Sequence, residues 1–234
     1  SQEEEIRLGN ELAARVLGAA PLVDNAALQR YVNTVGMWLA LQSDRPDLPW
    51  RFGVIASDDV NAFSMPGGVV LVTRGMYRTF HNEGELAGVL AHEIGHVVGK
   101  HQLRQIQNAA GNEWKADLIG ALAEEKGNKD AKNIAKALTA GMEVFTRGLD
   151  KQDEFAADRS GVVLAARGGY NPYGLVGVLQ TLGDISANDS TVALMFQTHP
   201  SPLARQDMLA EAMGESLDAW AGGVESTKRF IALK

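Results

Sequence analysis

The sequence predicts a mainly helical α+β fold in which a small β-sheet packs against one buried helix, and three observations carry that reading. Most of the 234-residue chain places apolar residues at helical spacing. Only two short stretches, Trp50 to Ile55 and Gly68 to Thr73, alternate or run β-branched as strands do. The helical stretch that is apolar almost all round, Glu85 to Val98, is interrupted by His92, Glu93 and His96, so the deepest helix also carries the polar groups. With 45% hydrophobic residues the chain can bury a full core, and a single domain over 1–234 is expected. It divides into N-terminal helices (1–45), a sheet with the His-bearing helix (50–108), a mobile helical excursion (111–130), a carboxylate-bearing helix (150–167), and a loop with C-terminal helices (183–234).

The elements follow in order. Ile6, Leu8, Leu12, Val16 and Leu17 sit among charges from Glu3 to about Leu17, an amphipathic pattern that Pro21 ends. A second helix is expected from Asn25 to Leu41, with Leu28, Val32, Val35 and Leu39 on its inner face and Pro46 and Pro49 beyond it. Two strands come next, and Asn82 is placed to cap the His-bearing helix ahead of Glu83 and Glu85. That helix is expected to run on past His101 toward Asn108. A helix from about Ala131 to Arg147 leads to Gly148, and a charged start, Asp150 to Glu154, opens another that Gly168, Gly169 and Pro172 stop. A short helix spans Tyr173 to Leu182. Gly183 to Ser190 reads as loop, and Pro200 and Pro202 force their predecessors toward extended geometry before a last helix from Leu203 to Met213.

The run His92-Glu93-Ile94-Gly95-His96 points to hydrolysis at a zinc ion. Residues four apart on a helix differ by only about 40° in direction, so both imidazoles can converge on one ion. Glu93 stays on the same rim, free to take a proton from attacking water as a general base. Buried without a ligand, these three groups would carry a large desolvation cost. With no cysteine in the chain, the ligands must be His, Asp or Glu, and no disulfide framework is possible.

Catalytic zinc takes three protein ligands, so a third must be found. His101 lies five residues after His96, about 140° around the helix, and would point away unless the helix stopped. It reads as a surface or packing residue. Glu154 and Asp158, one turn apart, share one face; one could ligate while the other accepts a hydrogen bond from a ligating imidazole. Each reading stands open at this point. His81 reads as a loop residue, and Trp38, Trp50, Trp114 and Trp220 as packing anchors.

A formal net charge of −7 with no dense basic cluster argues against nucleic acid as a partner. No run of about 18 apolar residues exists to span a membrane. The chain starts at Ser1 without an apolar leader, which fits a processed secreted protein or a trimmed chain.

Four motifs in order, Asn61-Ala62-Phe63-Ser64-Met65-Pro66-Gly67-Gly68, His92-Glu93-Ile94-Gly95-His96, Glu154-Phe155-Ala156-Ala157-Asp158-Arg159, and His199-Pro200-Ser201-Pro202 with Arg205, resemble the M48 family of gluzincin peptidases. The resemblance runs from about Trp50 to Met208 and implies a zincin-like metalloprotease with one zinc per chain. It implies that His92, His96 and Glu154 hold the metal with Asp158 behind them, that Glu93 is the base, and that His199 faces the site. It also implies that the Asn61 to Gly68 segment, including Ala62 and the Gly67-Gly68 pair, lines the substrate cleft, with Asn61 available to a substrate backbone. Arg205 would hold the His199 loop. His199 itself either stabilises the developing oxyanion or blocks the open zinc position. The expected activity is zinc-dependent endopeptidase cleavage of unfolded or misassembled proteins. The soluble, envelope-associated branch is the closer match, which implies a periplasmic or envelope location with membrane association through a segment outside this chain. Two other functions fit the same residues: a chaperone-like client-binding protein with a latent or structural zinc site, and an amidase acting on cell-wall peptides.

Overall fold

Ser1 opens the computed structural model by capping its first helix, its hydroxyl accepting from the Glu4 amide while Glu4 reaches back to the amino terminus. Residues 1–110, 148–185 and 189–234 are described. The expected excursion at 111–130, the helix from 131 to 147 and Trp114 lie outside them.

Helix α1 (Gln2–Ala19) is followed by α2 (Ala26–Ala40), whose Asn25 cap accepts from the amides of Ala27 and Leu28. A three-stranded sheet then forms from β1 (Arg51–Ile55), β2 (Ala62–Met65) and β3 (Val69–Thr73), in the order β1-β3-β2. β1 runs parallel to β3 and β2 antiparallel to it, with Ala62 opposite Val72 and Met65 opposite Val69. The outer side of β1 is covered by side chains of α2: Gln29 accepts from the Val54 amide and Asn33 from that of Phe52. That leaves β2 as an edge strand, with no strand paired to its outer side among the described residues. The third strand was not expected; Ala62 to Met65 is too short to show a period of its own.

After a short helix α3 (Arg74–Thr79), the His-bearing helix α4 (Glu83–Val98) is capped by Asn82 and buried from Glu83 through Val97. It does not continue to Asn108. The chain turns at Gly99 and Lys100, which adopts the left-handed backbone at φ 54°, and restarts as α5 (His101–Ala110). Further along the chain, Asp150 caps α6 (Lys151–Arg167), its carboxylate accepting from the Gln152 amide. Then come α7 (Gly174–Asp184), a 3-10 turn (Ser190–Val192), α8 (Ala193–Thr198), α9 (Pro202–Met213), a 3-10 turn (Asp218–Trp220) and α10 (Thr227–Ile231). No described helix is long and apolar enough to cross a membrane.

The main core joins α2, α4, α6, α7 and the inner face of the sheet through residues such as Leu39, Val54, Val72, Phe80, Leu90, Ile94 and Leu179. Fully burying each aliphatic of this size contributes about 1.5–3 kcal/mol. A second cluster, Leu8, Leu12, Met65, Leu71 and Ile106, seats α1 and α5 against the other face. The helices α4 and α6 approach closely because small residues meet at their crossing. A Cβ added at Gly161 would lie 3.0 Å from the His92 backbone, and one at Gly95 would lie 2.4 Å from Ser160 Oγ. That approach carries the carboxylates of α6 to the imidazoles of α4. Of the expected packing anchors, Trp50 is buried and stacks on Phe52, whereas Trp38 and Trp220 are 50% and 54% exposed. Trp38 still spends its indole N–H on the Gly168 carbonyl.

Candidate metal centre

His92 and His96, one turn apart on α4, point their Nε2 atoms toward each other at 3.0 Å. Glu154, at the first turn of α6, faces both: its Oε2 is 3.7 Å from His92 Nε2 and its Oε1 is 3.4 Å from His96 Nε2. The carboxylate of Glu154 is 1% exposed, and neither oxygen has a hydrogen-bond partner among the described residues. An anion so placed is costly without a counter-charge. Burial pushes its carboxyl up to about 7, with Asp158 and Glu93 adding to the rise and His92 and Arg205 opposing it. Ligand atoms of His92, His96 and Glu154 lie within 4.8 Å of one another, and two imidazoles with one carboxylate form a donor set that suits a zinc ion. The residues fit the metal.

Around these three stand groups that fix them. Asp158, one turn beyond Glu154, sits 2.8 Å from His92 Nδ1. It also accepts twice from the Arg205 guanidinium, at 2.9 and 2.6 Å. Burial raises the Asp158 carboxyl, but Arg205 and then His92 outweigh it and hold it below the usual carboxylate range. Burial and Arg205 depress the His92 imidazole while Asp158 and Glu154 raise it, for a net rise. His96 is pushed well below its ordinary value by burial, then by His92, His101 and His199, so it is a neutral imidazole.

Glu93 lies between the imidazoles and the sheet. Its Oε2 accepts from Ser64 Oγ at 2.6 Å, and Gln102 Nε2 donates to that same hydroxyl oxygen at 2.7 Å. Neither Ser64 nor Gln102 was singled out in the sequence, although Ser64 stands inside the first motif. A hydroxyl two positions along an edge strand has no pattern that announces a partner on a distant helix.

His199 follows α8 in extended backbone, φ −127° and ψ 151°, as the prolines after it require. Its Nε2 is 3.7 Å from Glu154 Oε2, and its Nδ1 is 2.9 Å from Thr198 Oγ1. Burial pushes it down to about 3, with Arg205 and His92 adding to the effect. The Arg205 guanidinium pairs with Asp158, and its Nη2 reaches His92 Nδ1 at 3.4 Å.

Asn61 and Ala62 line the cleft together with Glu93, His96, Glu154 and His199. Gly67 and Gly68 are not brought to it. Both have positive φ and close the turn after β2, where the close approach they permit is to α1 and Trp50: a Cβ at Gly67 would lie 2.5 Å from Ile6 Cα. The Gly67 amide donates to Glu5. His101, read as a helix-surface or packing residue, is buried, with its Nδ1 2.8 Å from His96 Nδ1. The break at Gly99 and Lys100 turns it back under α4. His81, read as a loop residue, sits between α3 and α4 with its Nδ1 3.1 Å from the Glu85 carboxylate.

A buried helix carrying a His-Glu-x-x-His run, flanked by an edge strand and faced by a carboxylate from a second helix, is the architecture of a zincin-like metallopeptidase. The chain belongs to peptidase family M48, whose model matches residues 26–213. It is 29% identical over 234 residues to the beta-barrel assembly-enhancing protease of Escherichia coli (strain K12), covering 99% of this chain and 47% of that protein. It is 30% identical over 173 residues to the mitochondrial metalloendopeptidase OMA1 of Arabidopsis thaliana, covering 74% of this chain and 33% of that protein. With metalloprotease YcaL of Escherichia coli it shares 30% identity over 169 residues, 71% of this chain and 63% of that protein. The chain spans about half the length of the beta-barrel assembly-enhancing protease it matches.

Proposed function

We propose that this chain is a zinc-dependent endopeptidase that cleaves unfolded or misassembled proteins in a cell envelope. The observation that carries the metal reading is Glu154, a carboxylate buried without a hydrogen-bond partner among the described residues and aimed at two imidazole Nε2 atoms. His92, His96 and Glu154 would hold the ion, one per chain, with Asp158 orienting His92. Zinc, when bound, supplies Lewis acidity that activates water and polarises a carbonyl.

The chain's own residues do the rest. Glu93 takes the proton of the attacking water and passes it to the leaving nitrogen, a base contribution of about 10²–10⁴ in rate. Ser64 holds that carboxylate in place. An extended substrate adds to the outer edge of β2, backbone to backbone, beside Asn61 and Ala62. What supports this reading is that the bacterial relatives are named beta-barrel assembly-enhancing proteases, a name that ties those proteins to the assembly of beta-barrels. Membrane association would come from a segment outside the described helices.

His199 is assigned to the opposite wall, where its Nε2 can donate to the developing oxyanion. A competing role is favoured by one contact: if the Thr198 hydroxyl spends its proton on the Leu194 carbonyl at 3.0 Å, His199 Nδ1 must be the donor to it. Its Nε2 is then left as a lone pair that can close the site. His199→Ala separates the two, because activity falls if the imidazole is a donor and rises if it is a plug.

Glu93→Gln should retain zinc and lose casein cleavage, and Glu154→Ala should lose zinc after dialysis. Casein cleavage by Glu93→Gln at the parent rate would reject the mechanism. Unchanged zinc in Glu154→Ala would reject the ligand set. A chain that holds unfolded protein without cutting it would favour the client-binding alternative, and cleavage of cell-wall fragments in place of casein the amidase.

A further inference from the structure

We infer that His101 is the positioning residue for His96: its Nδ1 accepts the proton carried by His96 Nδ1 and so locks that imidazole in the tautomer whose Nε2 lone pair faces the metal position. The inference rests on the proposed reading that His92, His96 and Glu154 hold a metal. Two ring nitrogens 2.8 Å apart must divide the roles of donor and acceptor. The rings meet nearly edge to face, with centroids 5.0 Å apart and planes at 80°.

The inner side of His96 decides the direction. Its Nε2 lies 3.0 Å from His92 Nε2 and 3.4 Å from Glu154 Oε1. A proton on that nitrogen would fill the space between the three ligands and exclude a cation. The proton therefore belongs on His96 Nδ1, and His101 must accept it. The remaining proton of a neutral His101 then sits on Nε2, on the side of Asp153, whose Oδ1 is 3.8 Å away. That separation is too long for a hydrogen bond but favours a proton over a lone pair. Asp153 is itself anchored by Arg104 at 2.6 Å.

The backbone is shaped for this contact. Lys100 takes a left-handed conformation that is unfavourable for a side-chain-bearing residue, and the reversal swings His101 under the end of α4. Gly99 leaves the room: a Cβ there would lie 2.2 Å from His101 Nε2. His92 is served differently, by the ionised Asp158 at 2.8 Å. The two imidazoles thus have unlike supports, one anionic and one neutral, and the site gains orientation at His96 without a further buried negative charge.

The test compares the full chain with His101→Asn, whose amide oxygen takes the place of Nδ1, and His101→Leu, which has no acceptor. Zinc affinity is measured by competition with a chromophoric chelator, and the protonation of His96 Nδ1 by long-range proton–nitrogen NMR of the zinc-loaded parent. Loss of this support lowers zinc affinity by about 10–100-fold in His101→Leu, and Asn restores most of it. The NMR spectrum shows the His96 proton on Nδ1. Parent affinity in His101→Leu, an Asn variant as weak as Leu, or a bare His96 Nδ1 would each overturn the assignment. If His101→Leu does not fold, the Asn variant and the parent spectrum decide it. A parent that binds no zinc would reject the metal reading and this inference with it, whereas zinc binding lost in His96→Ala but held at parent affinity in His101→Leu rejects this inference alone.

Discussion

Ser64 Oγ, on the edge strand β2, donates to Glu93 Oε2 on α4 across 2.6 Å. The bond ties the proposed base to the strand on which a substrate would lie, so the two move together. Removing a hydrogen bond to a charged group costs about 1.5–3 kcal/mol, and if it acts on the transition state that is about tenfold or more in rate. Ser64→Ala should therefore cut kcat for a peptide substrate by about that factor while zinc content, measured by atomic absorption, stays at one per chain. A variant with parental kcat would show that Glu93 needs no such tether.

Arg205 and Asp158 form a buried bidentate pair, and removing one partner leaves the other charge without compensation. Arg205→Leu should destabilise the fold by about 3–5 kcal/mol, read from denaturant midpoints at constant slope. A change below about 1 kcal/mol would mean that Asp158 finds another partner or water.

Gly9 of α1 lies against the turn after β2, where a Cβ would sit 1.6 Å from the Pro66 carbonyl oxygen. Among the described residues, nothing lies within 4 Å of a Cβ at Gly18 on the same helix. Gly9→Ala should lower the melting temperature, at a cost of about 1–3 kcal/mol or more. Gly18→Ala should leave it unchanged or raise it, since alanine favours the helix by up to about 1 kcal/mol. Equal melting temperatures for the two would show that α1 is not seated as described.

All four tyrosines have phenols raised above the ordinary value of 10.0: Tyr31, Tyr77 and Tyr170 first by burial, Tyr173 first by its hydrogen bond to Asp218. A group whose pKa is raised in the folded chain contributes stability that is fully present below its unfolded value and is lost as pH climbs toward the folded one. Stability should therefore be flat with respect to these groups below about pH 10 and fall above it. Phenolate absorbance at 295 nm should appear together with loss of helical circular dichroism. Phenolate from more than one tyrosine forming first, in a chain with intact helix signal, would contradict the placement of the half-buried Tyr31 and the buried Tyr170 against Glu83.

Much of this architecture was legible in the sequence. Asn25, Asn82 and Asp150 are caps that accept from the amides they precede, and each helix starts where its cap demands. The spacing of His92 and His96 on one helix, and of Glu154 and Asp158 on another, placed each pair on one face because helical periodicity is local. The end of α4 was not legible in the same way. His96 to His101 reads as continuous helix, and the left-handed Lys100 is selected by the burial of His101 and the packing of α5, which no local signal reports. Gly67 and Gly68 likewise marked a close approach of chains without saying which chain approaches.

Local chemistry fixed which side chains could coordinate, accept a proton or cap a helix, since these depend on residue type and on spacings of a few residues. Tertiary packing decided which of them meet. The small residues at the crossing of α4 and α6 bring Glu154 to His92 and His96, the reversal at Lys100 sets His101 behind His96, and the edge strand delivers Ser64 to Glu93. Contacts between residues tens of positions apart depend on how faces dock, and docking is settled by the shape and burial of whole elements.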